Sequence, residues 1–243
     1  MNISVLCSTE EQIRAVLDSG IADEIIIESD SLTPDTVLRT YGSEVKLTLA
    51  LPRIWRKGDV ISGFDSYLIR NVDELGLLGE SRKELIADYT LYGMNDEAAG
   101  FLHAYGVSRI TAPVELNERE LHRLRYNPEV VIYGYLPMMI SAQCLKKNLS
   151  GCDKIPEVLQ LKDRKGKKLP VRNICRECYN VICNPDPLSL FGVLDKVEKT
   201  GVRRARIDFS IESGERSAHI LKLYKKRKDP ENYTRGHFGR GVE

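Results

Sequence analysis

Five of the six cysteines, Cys144, Cys152, Cys175, Cys178 and Cys183, fall between residues 144 and 183. Cys175 and Cys178 form a CxxC (CREC), a two-residue gap that lets both thiolates reach one metal centre. Cys144 and Cys152 stand across the loop and complete a set of four soft, anionic donors, which suits tetrahedral zinc or an iron–sulfur cluster. Seven residues separate Cys144 from Cys152, a gap that zinc ribbons seldom use, so the spacing leans towards a cluster, with zinc as the alternative. Disulfides, a nucleophilic thiol and a crowd of unrelated reduced thiols are the competing readings. The N-terminus MNISVLCSTEEQ has no basic segment followed by an apolar core, and no apolar run approaches the ~18 residues that span a bilayer. A cytoplasmic, reducing location is therefore expected, which disfavours disulfides. Cys7, in the first apolar run, reads as a small buried hydrophobe.

The chain carries 36 basic against 35 acidic residues, so no global charge marks a polyanion partner. Locally, residues 144–183 hold ten Lys/Arg against four Asp/Glu, and residues 222–240 hold seven against two. Lys146, Lys147 and the KGKK run ending at Lys168 would offset a four-thiolate site and attract a carboxylate or phosphodiester. Lys146 and Lys168 are thus the cofactor-side candidates. Such runs are also the ordinary composition of a solvated face, and only Tyr179 lies nearby to stack on a base.

A second constellation consists of polar residues at the ends of apolar, strand-like runs: Arg53, Asn71, Asp88, Tyr89, Glu115, Tyr133, Arg206, Asp208 and Glu212. A charge inside an apolar strand must be paired or functional, because burying it alone is costly. Arg206 and Asp208, two apart, share one strand face and form either a structural ion pair or a pair for catalysis. No GxSxG and no HExxH occurs. His103, His122 and His219 fall in helical patterns. His237, in RGHFGRG, lies in a basic tail (228–243) that can fold over the site, which makes it the third candidate for catalysis.

The elements that must position these residues alternate regularly. Strands are expected over 3–7, 23–29, 45–52, 64–71, 84–93, 107–115, 129–137 and 203–212, with the loop IWRKGD after the third and the weaker segment NVDELGLLG after the fourth. Helices are expected over 10–20, 33–42, 95–106, 116–126, 191–201 and 214–227. They carry start and stop signals such as Ser8 or Thr9, Pro34 and Asn95 at N-termini and Gly20 at a C-terminus. Eight strands alternating with helices predict a parallel α/β protein, specifically a (β/α)8 TIM-barrel-like domain spanning 1–243, with an open doubly wound sheet as the alternative. The cysteine-rich segment, 144–190, interrupts the rhythm between strands seven and eight and would hang over the barrel mouth, where such enzymes keep their sites. Neither GxGxxG after the first strand nor GxxxxGK[ST] is present, so dinucleotide and P-loop readings lack their motif.

The motifs IADYTLYGMN (86–95), APVELN (112–117), VIYGYLPMMISAQC (131–144), LKDRKGKKLPV (161–171), CYNVICNPDPLSL (178–190), RIDFSIE (206–212) and TRGHFGRGV (234–242) run in an order that resembles the U32 peptidases, the collagenase-like proteases. The chain resembles the C-terminal half of longer members. The resemblance implies a barrel-like α/β fold and a [4Fe–4S] site held by Cys144, Cys152, Cys175 and Cys178, with Cys183 a non-ligand. It implies two alternative activities. One is proteolysis of unassigned catalytic type with collagen as substrate. The other is oxygen-independent hydroxylation of RNA bases or quinones with prephenate as oxygen donor, which the thiol quartet and basic flanks suit better. A non-catalytic module stapled by its metal is the third reading. RNA and the N-terminal half of longer members are the implied partners, and a membrane is not.

Overall fold

The computed structural model describes residues 1–54, 56, 63–78 and 82–241. Parts of the IWRKGD loop, together with Gly79 and Val242, lie outside the described residues. Eight strands run parallel: β1 (Asn2–Cys7), β2 (Glu24–Glu28), β3 (Lys46–Ala50), β4 (Ser66–Ile69), β5 (Glu84–Ala87), β6 (Val107–Ile110), β7 (Glu129–Gly134) and β13 (Arg204–Asp208). Between β7 and β13 come β8 (Pro137–Ser141), β9 (Val158–Lys162), β10 (Lys168–Ile174), β11 (Tyr179–Cys183) and the two-residue β12 (Leu188–Ser189). The helices are α1 (Glu10–Ser19), α2 (Pro34–Tyr41), α3 (Asp73–Leu78), α4 (Asp96–Ala104), α5 (Glu118–Arg123), α6 (Leu145–Ser150), α7 (Leu194–Lys199) and α8 (Gly214–Lys225).

Local chemistry sets several of these boundaries. Thr9 caps α1 in a capping box with Gln12, and Gly20 closes the helix in the left-handed conformation. Asn95 caps α4 by accepting the Ala98 N–H at 2.9 Å. The strand expected over 84–93 stops at Ala87, because the Asp88 carboxylate accepts the Tyr89 N–H at 2.8 Å and starts a 3-10 turn over Tyr89–Leu91. The segment NVDELGLLG contains α3.

The main sheet is mixed only at its edge, in the order β12-β7-β13-β1-β2-β3-β4-β5-β6, with β12 antiparallel to β7. It is a curled, mostly parallel α/β sheet. Its two ends approach each other beyond β6, where Thr111 bridges Glu129 and the Ala112 N–H donates to the Glu129 carbonyl at 2.8 Å. Alternation along the strands sends Val5, Ile25, Ile27, Leu49, Tyr67, Ile207 and their neighbours outward into one large core under the helices. The opposite set packs inside the curl as a small cluster of Leu6, Ile26, Ala50, Leu68 and Ile86. Polar residues surround that cluster: Glu24 pairs with Arg109 at 2.6 Å across the curl, and Ser4 donates to Glu129 at 2.6 Å.

The cysteine-rich segment shows no amphipathic period, yet it builds a second sheet, antiparallel, in the order β8-β11-β10-β9. This sheet stands over the C-terminal ends of the parallel strands, where its own cluster of Ile174, Tyr179, Val181 and Cys183 meets Ile54 and Tyr135.

Candidate functional site

A cavity of about 170 Å³ lies between the C-terminal ends of the parallel strands and the small sheet. That is far larger than the ~10–15 Å³ needed to hold one water. Its floor is charged, with Glu28, Arg53, Arg70, Asp88, Glu115 and Asp208, and its roof comes from Arg172, Ile174, Tyr179, Val181 and Cys183.

The floor charges form a chain of alternating sign. Glu28 takes Arg70 in two hydrogen bonds, at 2.7 and 3.1 Å, and Arg70 Nε reaches Asp88 at 2.9 Å. The other oxygen of Asp88 accepts from Arg206 at 2.7 Å, and Arg206 reaches Asp208 at 2.8 Å. Arg206 is 0% exposed and also donates to Thr111 at 3.2 Å, with Glu129 at 3.7 Å behind it. Its guanidinium lies 5.7 Å from the centre of the Tyr89 ring. Burial opposes the charge on Asp88, but Arg206 and Arg70 outweigh it and hold the carboxyl below its usual range. Asp208, at the end of the chain, has the opposite balance. Burial pushes its carboxyl up to about 6, against the pull of Arg206 and with that of Asp88. Gly134 backs this residue so closely that a Cβ there would lie 2.9 Å from the Asp208 carbonyl oxygen.

Around the rim, Arg53 Nη1 and Glu115 Oε2 are buried without a hydrogen-bond partner among the described residues. Both residues line the cavity.

The roof is fastened to the rim through the loop between β2 and α2. Tyr179 donates its hydroxyl to Asp30, Arg172 donates to Ser31 Oγ at 3.0 Å, and Arg176 donates to the carbonyls of Ser29 and Leu32 at 3.1 and 3.3 Å. Three of these contacts sit in or beside the CREC turn, where Cys178 takes a φ of 53°. Alternation in β10 and β11 turns Arg172, Ile174, Tyr179, Val181 and Cys183 to the cavity and Asn173 and Asn180 away from it. Cys144 lies on that far side, its sulfur 3.7 Å from Asn173 Nδ2. Burial raises the Cys175 thiol, followed by the neighbouring Cys144 and Cys152. Cys178 points its sulfur at the Cys175 carbonyl, 3.6 Å away. Among the described residues, no group of three or more His, Cys, Asp or Glu side chains stands ready as a metal shell. Cys183 is 1% exposed, and burial pushes its thiol up to about 11, so it remains protonated and unreactive.

Of the residues picked out by type and spacing, Arg53, Asp88, Tyr89, Glu115 and Asp208 line the cavity, and Arg206 lies directly beneath it. Tyr133 is instead stacked on Phe191 in the outer core, and Glu212 accepts the Ser210 and Ile211 N–H groups. His237 bonds the Gly241 carbonyl at 2.9 Å and is not among the cavity-lining residues. Lys146 is committed to Asp153 at 2.7 Å and Glu157 at 3.4 Å, and Lys168 is exposed at the start of β10. Sequence reasoning missed Glu28, Asp30, Arg70 and Arg172. Glu28 and Arg70 carried the same signal as Asp88, a charge closing an apolar strand. Arg172 and Asp30 gave none, since their role depends on how the small sheet docks.

The family model described as Peptidase family U32 matches residues 84–237, more than half of the chain. No curated protein and no solved structure matches.

Proposed function

Since the chain belongs to peptidase family U32, we propose that it is an iron–sulfur enzyme of that family acting in prephenate-dependent hydroxylation of RNA. The cavity between strand ends and small sheet is its reaction chamber. The observation that carries this reading is the charged cavity beneath the small sheet. A buried ion chain ends there in a carboxyl that exchanges its proton near neutrality, cationic side chains stand on the rim, and the segment that forms the roof also carries Cys144, Cys152, Cys175 and Cys178, outside the cavity-lining residues. In this reading the curled sheet is a (β/α)8 barrel with the 144–190 insertion over its mouth. The chain-order adjacency of the eight parallel strands and the Thr111–Glu129 bridge support that closure.

Cys144, Cys152, Cys175 and Cys178 would hold the cluster, which supplies electron transfer when bound. The rest falls to this chain's own residues. Arg53, whose Nη1 has no partner among the described residues, and Arg172 on the roof would orient a carboxylate-bearing donor. Asp208 would give and take a proton, because a carboxyl at about 6 is poised for both near neutral pH. Arg206 and Asp88 position Asp208. The peptidase reading finds less support here. No histidine is among the cavity-lining residues, and the thiol facing the cavity, Cys183, is held protonated.

The test is nucleoside mass spectrometry of RNA incubated under nitrogen with the reconstituted protein, prephenate and a reductant. Hydroxylated nucleosides should appear with the wild type and be lost in Asp208→Asn without loss of bound iron. Gelatin cleavage abolished by that same substitution, with no RNA product, would instead support the peptidase reading.

A further inference from the structure

The β9–β10 hairpin carries an excess of positive charge, with five basic residues at and beside its turn against the one carboxylate of Asp163. Lys162, Arg164, Lys165, Lys167 and Lys168 are all exposed, and none of their side chains makes an ion pair or hydrogen bond among the described residues. The single carboxylate of the turn, Asp163, is already occupied by the Lys165 and Lys167 backbone N–H groups, both at 2.8 Å. The tip is therefore a hydrogen-bonded, cationic turn. Lys162 and Lys168 stand directly opposite each other in the register. Like charges in that position destabilise a sheet, so the pair works against the fold.

The direction of the charge is the second observation. In β10, Lys168, Pro170, Arg172 and Ile174 share one face, and Lys162 and Gln160 face them from β9. Arg172 and Ile174 line the cavity. Lys162 and Lys168 thus lie on the face that roofs the cavity, Lys168 about 14 Å along the strand from Arg172 at ~3.4 Å per residue. Cations stand at both ends of this face, Lys162 and Lys168 near the tip and Arg172 at the cavity rim, with the uncharged Pro170 and Gln160 between them.

We propose that this hairpin face is a docking track for the sugar–phosphate backbone of a single-stranded nucleic acid, leading the strand towards the cavity. The proposal rests on the RNA reading given above for the kind of polyanion, and on the hairpin alone for where it binds. Contacts of this kind position a strand without reading its sequence, consistent with the lack of stacking aromatics on the hairpin.

Binding of a fluorescein-labelled 20-nucleotide poly(U) RNA, followed by anisotropy across a salt series, tests it without any cluster or turnover. Lys162→Gln, Lys165→Gln and Lys168→Gln together should weaken binding roughly tenfold or more near 0.1 M salt. They should also flatten the slope of log K against log salt by about 2, at ~0.7 per lost contact. A control with the same charge change, Lys196→Gln, Lys199→Gln and Lys226→Gln on exposed positions of α7 and after α8, should leave both unchanged. Equal weakening in the two triple variants would overturn the track, as would unaltered binding by the hairpin variant. So would binding of the hairpin to anionic vesicles with none to RNA. RNA binding that needs the hairpin while no nucleoside is hydroxylated would sustain the track and remove the proposed reaction. Hydroxylation retained in the hairpin variant with unchanged RNA affinity would do the reverse.

Discussion

Arg206 has no exposed surface, so its charge must be met inside the protein, and Asp88, Asp208 and Glu129 meet it. Removing one member leaves the others uncompensated. Asp88→Ala should destabilise the fold by about 3–5 kcal/mol, measured by urea unfolding, and a loss under 1 kcal/mol would mean the chain of charges is not coupled. Asp208 differs because its folded-state carboxyl is raised, from 3.8 to about 6. A raised acid favours the folded state fully below its unfolded value and loses that contribution as pH climbs through the folded one. The stability of wild type relative to Asp208→Asn should therefore fall by up to about 3 kcal/mol between roughly pH 4 and pH 6.5. A difference that stays flat over this window would contradict the assignment. At this scale the sequence was readable where a charge broke an apolar strand, as at Asp88, Arg206 and Asp208. It was silent where the partner came from a distant loop, as Asp30 does for Tyr179.

The parallel strands and most helices could be anticipated, because their residues repeat with the period of the structure and carry caps such as Thr9 and Asn95. The small sheet could not. Strand β8 is exposed at Pro137–Met139, β11 is buried throughout, and a long cysteine loop separates β8 from β9, so no single period runs through the segment. What holds it in place is the clamp on the loop between β2 and α2. Tyr179→Phe removes the hydroxyl from the buried Asp30, a charge-assisted contact worth about 1.5–3 kcal/mol. Alkylation of Cys183, followed by peptide mass spectrometry, should then accelerate about tenfold or more, because lifting the roof exposes that thiol. An unchanged rate would show that the roof is held by other contacts. Gly134 belongs to the same scale. Gly134→Ala forces a methyl group against the Asp208 backbone, and should abolish activity while Gly100→Ala on the exposed face of α4 does not.

Across the whole molecule, one end of a curled α/β sheet presents its charged strand ends to a second sheet that carries the thiols and a basic hairpin. Floor and roof come from different stretches of the chain, residues 28–115 and 208 below and residues 172–183, which lie between them in order, above, so the site exists only when both sheets are docked. The central claim is that the thiols of this roof hold an iron–sulfur cluster. Iron and acid-labile sulfide analysis of protein expressed and purified without oxygen tests it most directly. The account predicts brown protein with about four irons per chain, falling towards none in Cys175→Ser. A colourless protein carrying one zinc, or iron content unchanged by that substitution, would contradict it.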